Sequence, residues 1–453
     1  MRRRRRTQAN AARRRHQQFA SGDVLEVTVD RIGHGGDGIA DDPSGRLYVP
    51  LTVPGDRVRV RRAQRLGDGH TADTIEILSP GPNRSTPPCP HFSTCGGCSL
   101  QHLSDSAYAR WKRERLLLSL ARAGLDHCEV ADLVRTSPGT RRRATFTAMR
   151  GPEAHSPVIL GFNVRRGHNV VDLHSCNVVE PQIAALLPEL RQLLMRLLSP
   201  NQRTQVSVTL LEGGLDVVLQ WPDEPDLTIR QVLAEFAGAA DLARLSWRLS
   251  ADGEGEPIAQ RRPLGSLFGD TFVSVPPGTF LQASAEAEAA LVRAVTAPLA
   301  SAKLAADLFA GLGTFTFALT KVGVSVHAVD ADRAALQALA GAARGRPQIS
   351  WEARDLFASP LHPSELRRFD AVVFDPPRSG ARAQAEQLAN SAVPIVIAVS
   401  CNPNSFVRDA RILVEGGYRL QHITPVDQFV WSSHLELVAV FSRRWTGNKA
   451  AQP

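Results

Sequence analysis

Three residues in the last third of the sequence have the types and settings that covalent catalysis needs. In "AVSCNPNSFVRDA" (398–410), Cys401 follows the apolar run "VPIVIAV" and precedes Asn-Pro. A lone thiol is usually a small core residue. This one stands past a strand, in a polar loop, where a thiolate could attack an electrophilic carbon. In "FDPPRSGA" (374–381) a strand runs into two prolines. Proline cannot donate to a ladder, so the strand stops and leaves the Asp375 carboxylate at the sheet's edge. In "SSHLELVAVFSR" (432–443), Glu436 lies among Leu435, Leu437 and Val438 near the start of the last strand. Desolvation raises a carboxylate's pKa and fits it to act as a base; His434 is the competing candidate.

A fourth stretch suits a nucleoside ligand. In "DLFAGLGTFTFAL" (307–319) a strand ends near Asp307, a Gly-x-Gly turn follows and a helix begins. Such a turn lets backbone approach a nucleotide closely. The next strand ends "VHAVDAD", which places Asp330 to hydrogen-bond a ribose diol. After Gly313 come Thr, Phe and Thr, so the third glycine of a dinucleotide fingerprint is missing. S-adenosylmethionine therefore fits better than NAD.

Three of the six cysteines crowd into "PCPHFSTCGGCSLQH" (88–102), as Cys89, Cys95 and Cys98 in a C-x5-C-x2-C pattern. Three thiolates are one short of a tetrahedral site, and Cys128 and Cys176 are both available as the fourth ligand. By count, four thiolates suit zinc and a [4Fe–4S] cluster equally well. The sequence has no export signal, which makes a disulfide the poorest reading.

The elements that must position these residues follow from periodicity. From about residue 283, strands alternate with helices: "KLAADLF", "VSVHAVD", "ISWEARD", "FDAVVFD", "VPIVIAVS", "RLQHITPVD" and "HLELVAVFSR". Only "QFVWSS" separates the last two, so they should pair antiparallel. Six parallel strands and one reversed strand predict an open, doubly wound sheet whose ligand sits at the strands' carboxyl ends. Upstream, residues 19–79 alternate in short strands around glycine-rich turns, which predicts an OB-like β-barrel. Arg57, Arg59, Arg61, Arg62 and Arg65 lie on or beside its strands. Residues 105–124 have a helix former's composition, and about 130–275 reads as α+β.

The chain is thus expected to be multidomain α/β. A basic disordered arm (1–18) precedes the barrel (19–79), then a central α+β domain (80–275), a Rossmann-like domain with a seven-stranded sheet (276–446) and a tail (447–453). The 453 residues carry a net charge of +8, and residues 1–18 hold eight arginines and no acidic residue. This points to a polyanionic partner, RNA or DNA. No apolar run is long enough to span a membrane, and a cytoplasmic monomer is expected.

Taken together, "DPPRSGA", "SCNP" and "HLE", in this order, resemble the RNA uracil-5-methyltransferase family over about residues 20–445. Within that family the 23S rRNA type is most similar, with an N-terminal TRAM domain and a four-cysteine [4Fe–4S] cluster. The resemblance implies methylation of uridine C5 in 23S rRNA, or alternatively in the tRNA T-loop. It implies Cys401 as nucleophile, Glu436 rather than His434 as base, and S-adenosylmethionine contacts at Gln282, Phe309, Thr314, Asp330, Asp355 and Asp375. Thr314 departs from the asparagine often found there. The resemblance selects Cys176 over Cys128 as the fourth ligand beside Cys89, Cys95 and Cys98, and iron–sulfur over zinc; a structural role is expected, because methyl transfer involves no net electron change and these ligands lie far in sequence from Cys401. A catalytically silent RNA-binding module is the contrasting reading, opposed by the intact Cys401, Asp375 and Glu436.

Overall fold

Short in–out strands between glycine turns build the first sheet. The computed structural model describes residues 22–443, apart from 43–44, 154, 252 and 300; the expected arm at 1–18 and tail at 447–453 lie outside these. The chain divides into two compact units, the first comprising residues up to 93, 97–112 and 431–433, the second the remainder. Strands β1 (Val24–Thr28), β2 (Arg31–Ile32), β3 (Gly38–Asp42), β4 (Gly45–Val49), β5 (Arg57–Leu66) and β6 (Gly69–Ser79) form a sheet in the order β1-β5-β6-β4-β3-β2. Val27, Val29, Ala40, Leu47, Val49, Val58, Val60 and Ala72 close on one interior, so the sheet is rolled about a single core. Along β5 the valines point in and the arginines out. The expected basic face is partly neutralised. Arg59 donates to Glu26 at 2.9 Å and to Glu76 at 2.7 Å, and Arg62 pairs with Asp42.

Helix α1 (Asp105–Arg122) supplies Ala107, Tyr108 and Trp111 to a small core of the first unit, with Val53, Leu100 and Leu103. Its later residues Leu116 and Leu120 belong to the main core of the second unit. Two-residue strands β7 (Glu129–Val130) and β8 (Val134–Arg135) follow. The α+β stretch then forms a six-stranded sheet from β9 (Arg143–Arg150), β10 (Val158–Gly161), β11 (Arg203–Leu211), β12 (Gly214–Gln220), β13 (Arg244–Arg248) and β14 (Glu256–Gln260). Its order is β10-β9-β11-β12-β13-β14, antiparallel except for β12 beside β13. A helix (α2, Leu227–Ala239), capped by Asp226 through the Ile229 N–H, makes that parallel crossover.

The largest sheet carries the candidate residues. Its strands are β15 (Leu304–Leu308), β16 (Ser325–Asp330), β17 (Ile349–Ala353), β18 (Ala371–Phe374), β19 (Ile395–Ser400), β20 (Tyr418–Asp427) and β21 (Glu436–Arg443). They run in the order β17-β16-β15-β18-β19-β21-β20, with β21 antiparallel to both neighbours. The sheet has nine strands, not seven, because β7 and β8 add parallel to β20. Two residues carry no readable period, which is why sequence patterning passes them over. Helices α3 (Ala285–Thr296), α4 (Thr314–Lys321), α5 (Arg382–Ala389) and α6 (Pro403–Glu415) flank it. β19 explains how. Val396 and Ala398 face a core with Leu388, Phe406, Ala410 and Leu413, while Ile397 and Val399 face another with Leu291, Val295, Phe315 and Leu319. A strand buried on both sides must be apolar throughout, and polar chemistry is left to its ends.

Candidate active site

At the end of β15 the chain turns through Phe309, held at φ 61°, and Gly313 at φ 89° before α4 starts at Thr314. A Cβ on Gly313 would stand 2.8 Å from the Phe317 ring and 2.9 Å from Leu339, so the turn requires glycine. Asp330, at the end of β16, accepts the N–H groups of Gly311 and Asp332, each at 2.7 Å. One carboxylate thereby fixes the glycine turn and keeps lone pairs for a further donor such as a ribose hydroxyl. Burial raises its pKa. Half-buried Phe309 sits against Phe357 with ring centroids 5.5 Å apart. Asp355 caps its own loop, accepting from the N–H groups of Phe357 and Ala358 at 2.9 and 3.3 Å. This cradle of two carboxylates, an aromatic pair and a glycine turn offers acceptors for hydroxyl groups and an apolar face for a flat ring.

The loops that follow β18 and β19 are stitched to each other. Asn402 caps α6 and donates its side-chain N–H to the Arg378 carbonyl at 3.0 Å. Ser405 donates to the same carbonyl at 3.1 Å, and Arg408 donates to that of Ser379 at 3.0 Å. The buried Asp409 accepts the Ala381 N–H at 2.8 Å. Cys401 is half-buried between these anchors.

Glu436 is 2% exposed and opens β21. Gln428, at the end of β20 and 5% exposed, donates its amide N–H to Glu436 Oε2 at 3.1 Å. Gln282 donates in the same way to Asp375 Oδ2 at 3.0 Å. Burial lifts both carboxylates: Asp375 to about 7, and Glu436 well above the usual range with help from the Asp375 charge. Cys401 rises to about 11, first by burial and then by the charges of Glu436 and Asp375. The fold thus brings Cys401, Asp375, Glu436 and Gln282 together at one sheet edge. His434 is exposed, with its ring edge-on to Phe429 at 5.8 Å.

The thiols expected to hold a metal are divided between the two units. Cys95 is buried in the central core and Cys176 borders it. Cys89 and Cys98 belong to the first unit, and the Cys89 N–H donates to the Gln101 side chain at 3.2 Å. Cys128 lies against the main core, its thiol bonded to the Leu125 carbonyl. Among the described residues, no three Cys, His, Asp or Glu side chains are grouped to hold a metal ion. Four thiols have the donor chemistry a cluster needs, and no catalytic step is assigned to one.

Elsewhere in the second unit, a cavity of 530 Å³ opens between α1, α5 and α6. Arg122, Arg382, Arg408, Arg411 and Asn404 line it.

Two comparisons decide the family. An uncharacterized RNA methyltransferase of Brucella suis is 43% identical over 421 residues, covering 92% of this chain and 98% of that one. The 23S rRNA (uracil(1939)-C(5))-methyltransferase RlmD of Chromohalobacter salexigens is 34% identical over 454 residues, covering 97% of this chain and 92% of that one. The chain belongs to the RNA uracil-5-methyltransferase family. A family model described as tRNA (uracil-5-)-methyltransferase matches residues 363–444, the segment that contains Asp375, Cys401, Gln428 and Glu436. The fold is also that of a tRNA (uracil-54, C5)-methyltransferase of Pyrococcus abyssi solved with S-adenosyl-L-homocysteine, at TM-score 0.72 and 21% identity. The alignment covers 92% of this chain and all of that one.

Sequence reading missed Gln428, Asp409 and Arg142. Arg142 donates through Nε to the Gln282 carbonyl at 2.9 Å and through Nη2 to Glu288 at 2.5 Å, and so holds the Gln282 segment from behind. None of the three stands in a telling pattern. Only the position of Gln428, polar and flanked by Val426 and Val430, offered a signal.

Proposed function

We propose that this protein methylates uridine at C5 in 23S rRNA, with S-adenosylmethionine as methyl donor. The observation that carries the reading is the meeting of Cys401, Asp375 and Glu436 at one sheet edge in a member of a uracil-5-methyltransferase family. The name borne by the RlmD relative supports rRNA as substrate. A tRNA substrate is the alternative, supported by the family model's description and by the Pyrococcus abyssi neighbour.

The uracil ring is a poor nucleophile at C5 until something adds at C6. Cys401 Sγ bonds to C6, and the ring electron pair moves to give enolate character at C5. When bound, S-adenosylmethionine supplies the electrophilic methyl group. Glu436 then takes the C5 proton, the C5–C6 double bond re-forms and the C6–Sγ bond breaks, which returns the thiolate. Asp375 and Gln282 border this centre, while Asp330, Phe309, Thr314 and Asp355 line the cradle assigned to the adenosine. Both faces of the ring must be reached, so the uridine leaves its stack and enters the site. The rolled sheet of residues 24–79 serves as a TRAM-like RNA-binding module. Cys89, Cys95, Cys98 and Cys176 carry a structural [4Fe–4S] cluster, a reading that rests on the sequence pattern alone.

Mapping 5-methyluridine in rRNA and tRNA from cells lacking the protein tests the substrate. Loss of a 23S rRNA mark with tRNA unchanged is expected; loss confined to tRNA would overturn the rRNA assignment.

A further inference from the structure

Gln428 is a buried amide with both ends committed. Its Oε1 accepts the Ala283 N–H at 2.8 Å, and its Nε2 donates to Glu436 at 3.1 Å. A backbone N–H can only donate, so the bond to Ala283 fixes which end of the amide faces Glu436. Ala283 is itself tied in by hydrogen bonds. Its carbonyl accepts the Arg142 N–H at 2.9 Å, the adjacent Gln282 carbonyl accepts Arg142 Nε, and Ser284 caps α3 through the Ala287 N–H. The neighbouring Gln282 side chain holds Asp375. Two successive residues, 282 and 283, therefore set the positions of both buried carboxylates, one directly and one through Gln428.

We propose that Gln428 is a positioning residue for the methylation: it aims the Glu436 carboxylate and registers it against the segment Gln282–Ala283. This rests on Glu436 being the base that removes the C5 proton. A bond donated to a carboxylate favours its ionised form, the form a base needs. Without Gln428, burial and the Asp375 charge act on Glu436 unopposed, and its side chain loses its only described anchor.

The step affected is proton removal, after Cys401 has bonded to C6 and the methyl group has arrived at C5. Slowing it leaves the methylated uridine attached to Cys401. The experiment is a single-turnover reaction of the full-length protein with an rRNA fragment bearing the target uridine. Denaturing gels follow the protein–RNA adduct, and nucleoside analysis follows 5-methyluridine. Gln428→Leu is expected to slow product release by about 10- to 100-fold, the worth of a hydrogen bond to a charged group. Adduct should accumulate, with melting temperature and both KM values little changed. Gln428→Glu keeps an acceptor for Ala283 but sets a carboxylate against Glu436, and should also accumulate adduct should the leucine variant fail to fold. Release at the wild-type rate, or a slower rate with raised KM and no adduct, would overturn the proposal. Glu436→Gln separates the underlying reading. If that variant accumulates adduct and the Gln428 variants do not, only the positioning role fails; if it accumulates none, the base assignment fails too.

Discussion

The free enzyme should hold Cys401 as a protonated thiol at physiological pH. Burial first, and then the charges of Glu436 and Asp375, push it from an ordinary 9.0 to about 11. Two pH units correspond to about 2.7 kcal/mol, and they cut the thiolate fraction at pH 8 from roughly one in ten to roughly one in a thousand. The carboxylates act in this sense once they are ionised, which for Asp375 occurs above about pH 7. Glu436→Gln removes the stronger of the two charge effects and leaves the burial in place. The thiol should then fall toward its ordinary range, which raises its reactivity wherever Glu436 is ionised in the wild type. The assay is carbamidomethylation of the Cys401 peptide by iodoacetamide, followed by mass spectrometry from pH 6.5 to 10.5 without RNA. The rate should climb with every pH unit and show no plateau below pH 10. A plateau by pH 8, or a Glu436→Gln variant that alkylates no faster, would refute the reasoning.

Asp307 is fully buried; one oxygen accepts the Thr316 hydroxyl at 2.6 Å and the other has no hydrogen-bond partner. Its pKa rises to about 7, so its folding contribution is intact below about 3.8 and is lost as pH climbs through 7, by at most about 4 kcal/mol. Asp307→Asn should therefore melt above the wild type at pH 8.5, with the gap narrowing by more than half at pH 5; a variant less stable at both pH values would contradict this. Arg382→Glu with Arg411→Glu, on the arginine-lined cavity, should weaken RNA binding and reduce the slope of log K against log salt by about 1.5–2, with kcat at saturating RNA unchanged. An unchanged salt slope would remove the cavity from the RNA path. Cys176→Ala should lose iron and acid-labile sulfide on metal analysis; stoichiometric zinc in the wild type would overturn the iron–sulfur assignment.

The catalytic sheet was legible because each of its strands is an apolar run ended by a chemically marked residue. Asp375 before two prolines and Cys401 before Asn-Pro reveal strand ends and candidate chemistry at once. β7 and β8 were not legible, since two residues have no period. The charge balance of β5 was not legible either. Arg59 looks free in the sequence, but Glu26 and Glu76 lie 33 positions before and 17 after it and meet it only across the sheet. Gln428 and Arg142 fail for the same reason. Their roles come from the Gln282–Ala283 segment, 146 or 145 positions before the one and 140 or 141 after the other, and no local spacing encodes such a meeting. The cysteines are a different case. Their spacing is the most conspicuous pattern in the chain, yet the described side chains are not gathered into a metal group.

Methyl transfer by Cys401→Ala tests the central claim most directly. The assay offers 23S rRNA, and 5-methyluridine is measured alongside RNA binding. The account predicts that the variant still binds RNA and S-adenosylmethionine but forms no 5-methyluridine. Methylation by this variant at a rate near that of the wild type would contradict it.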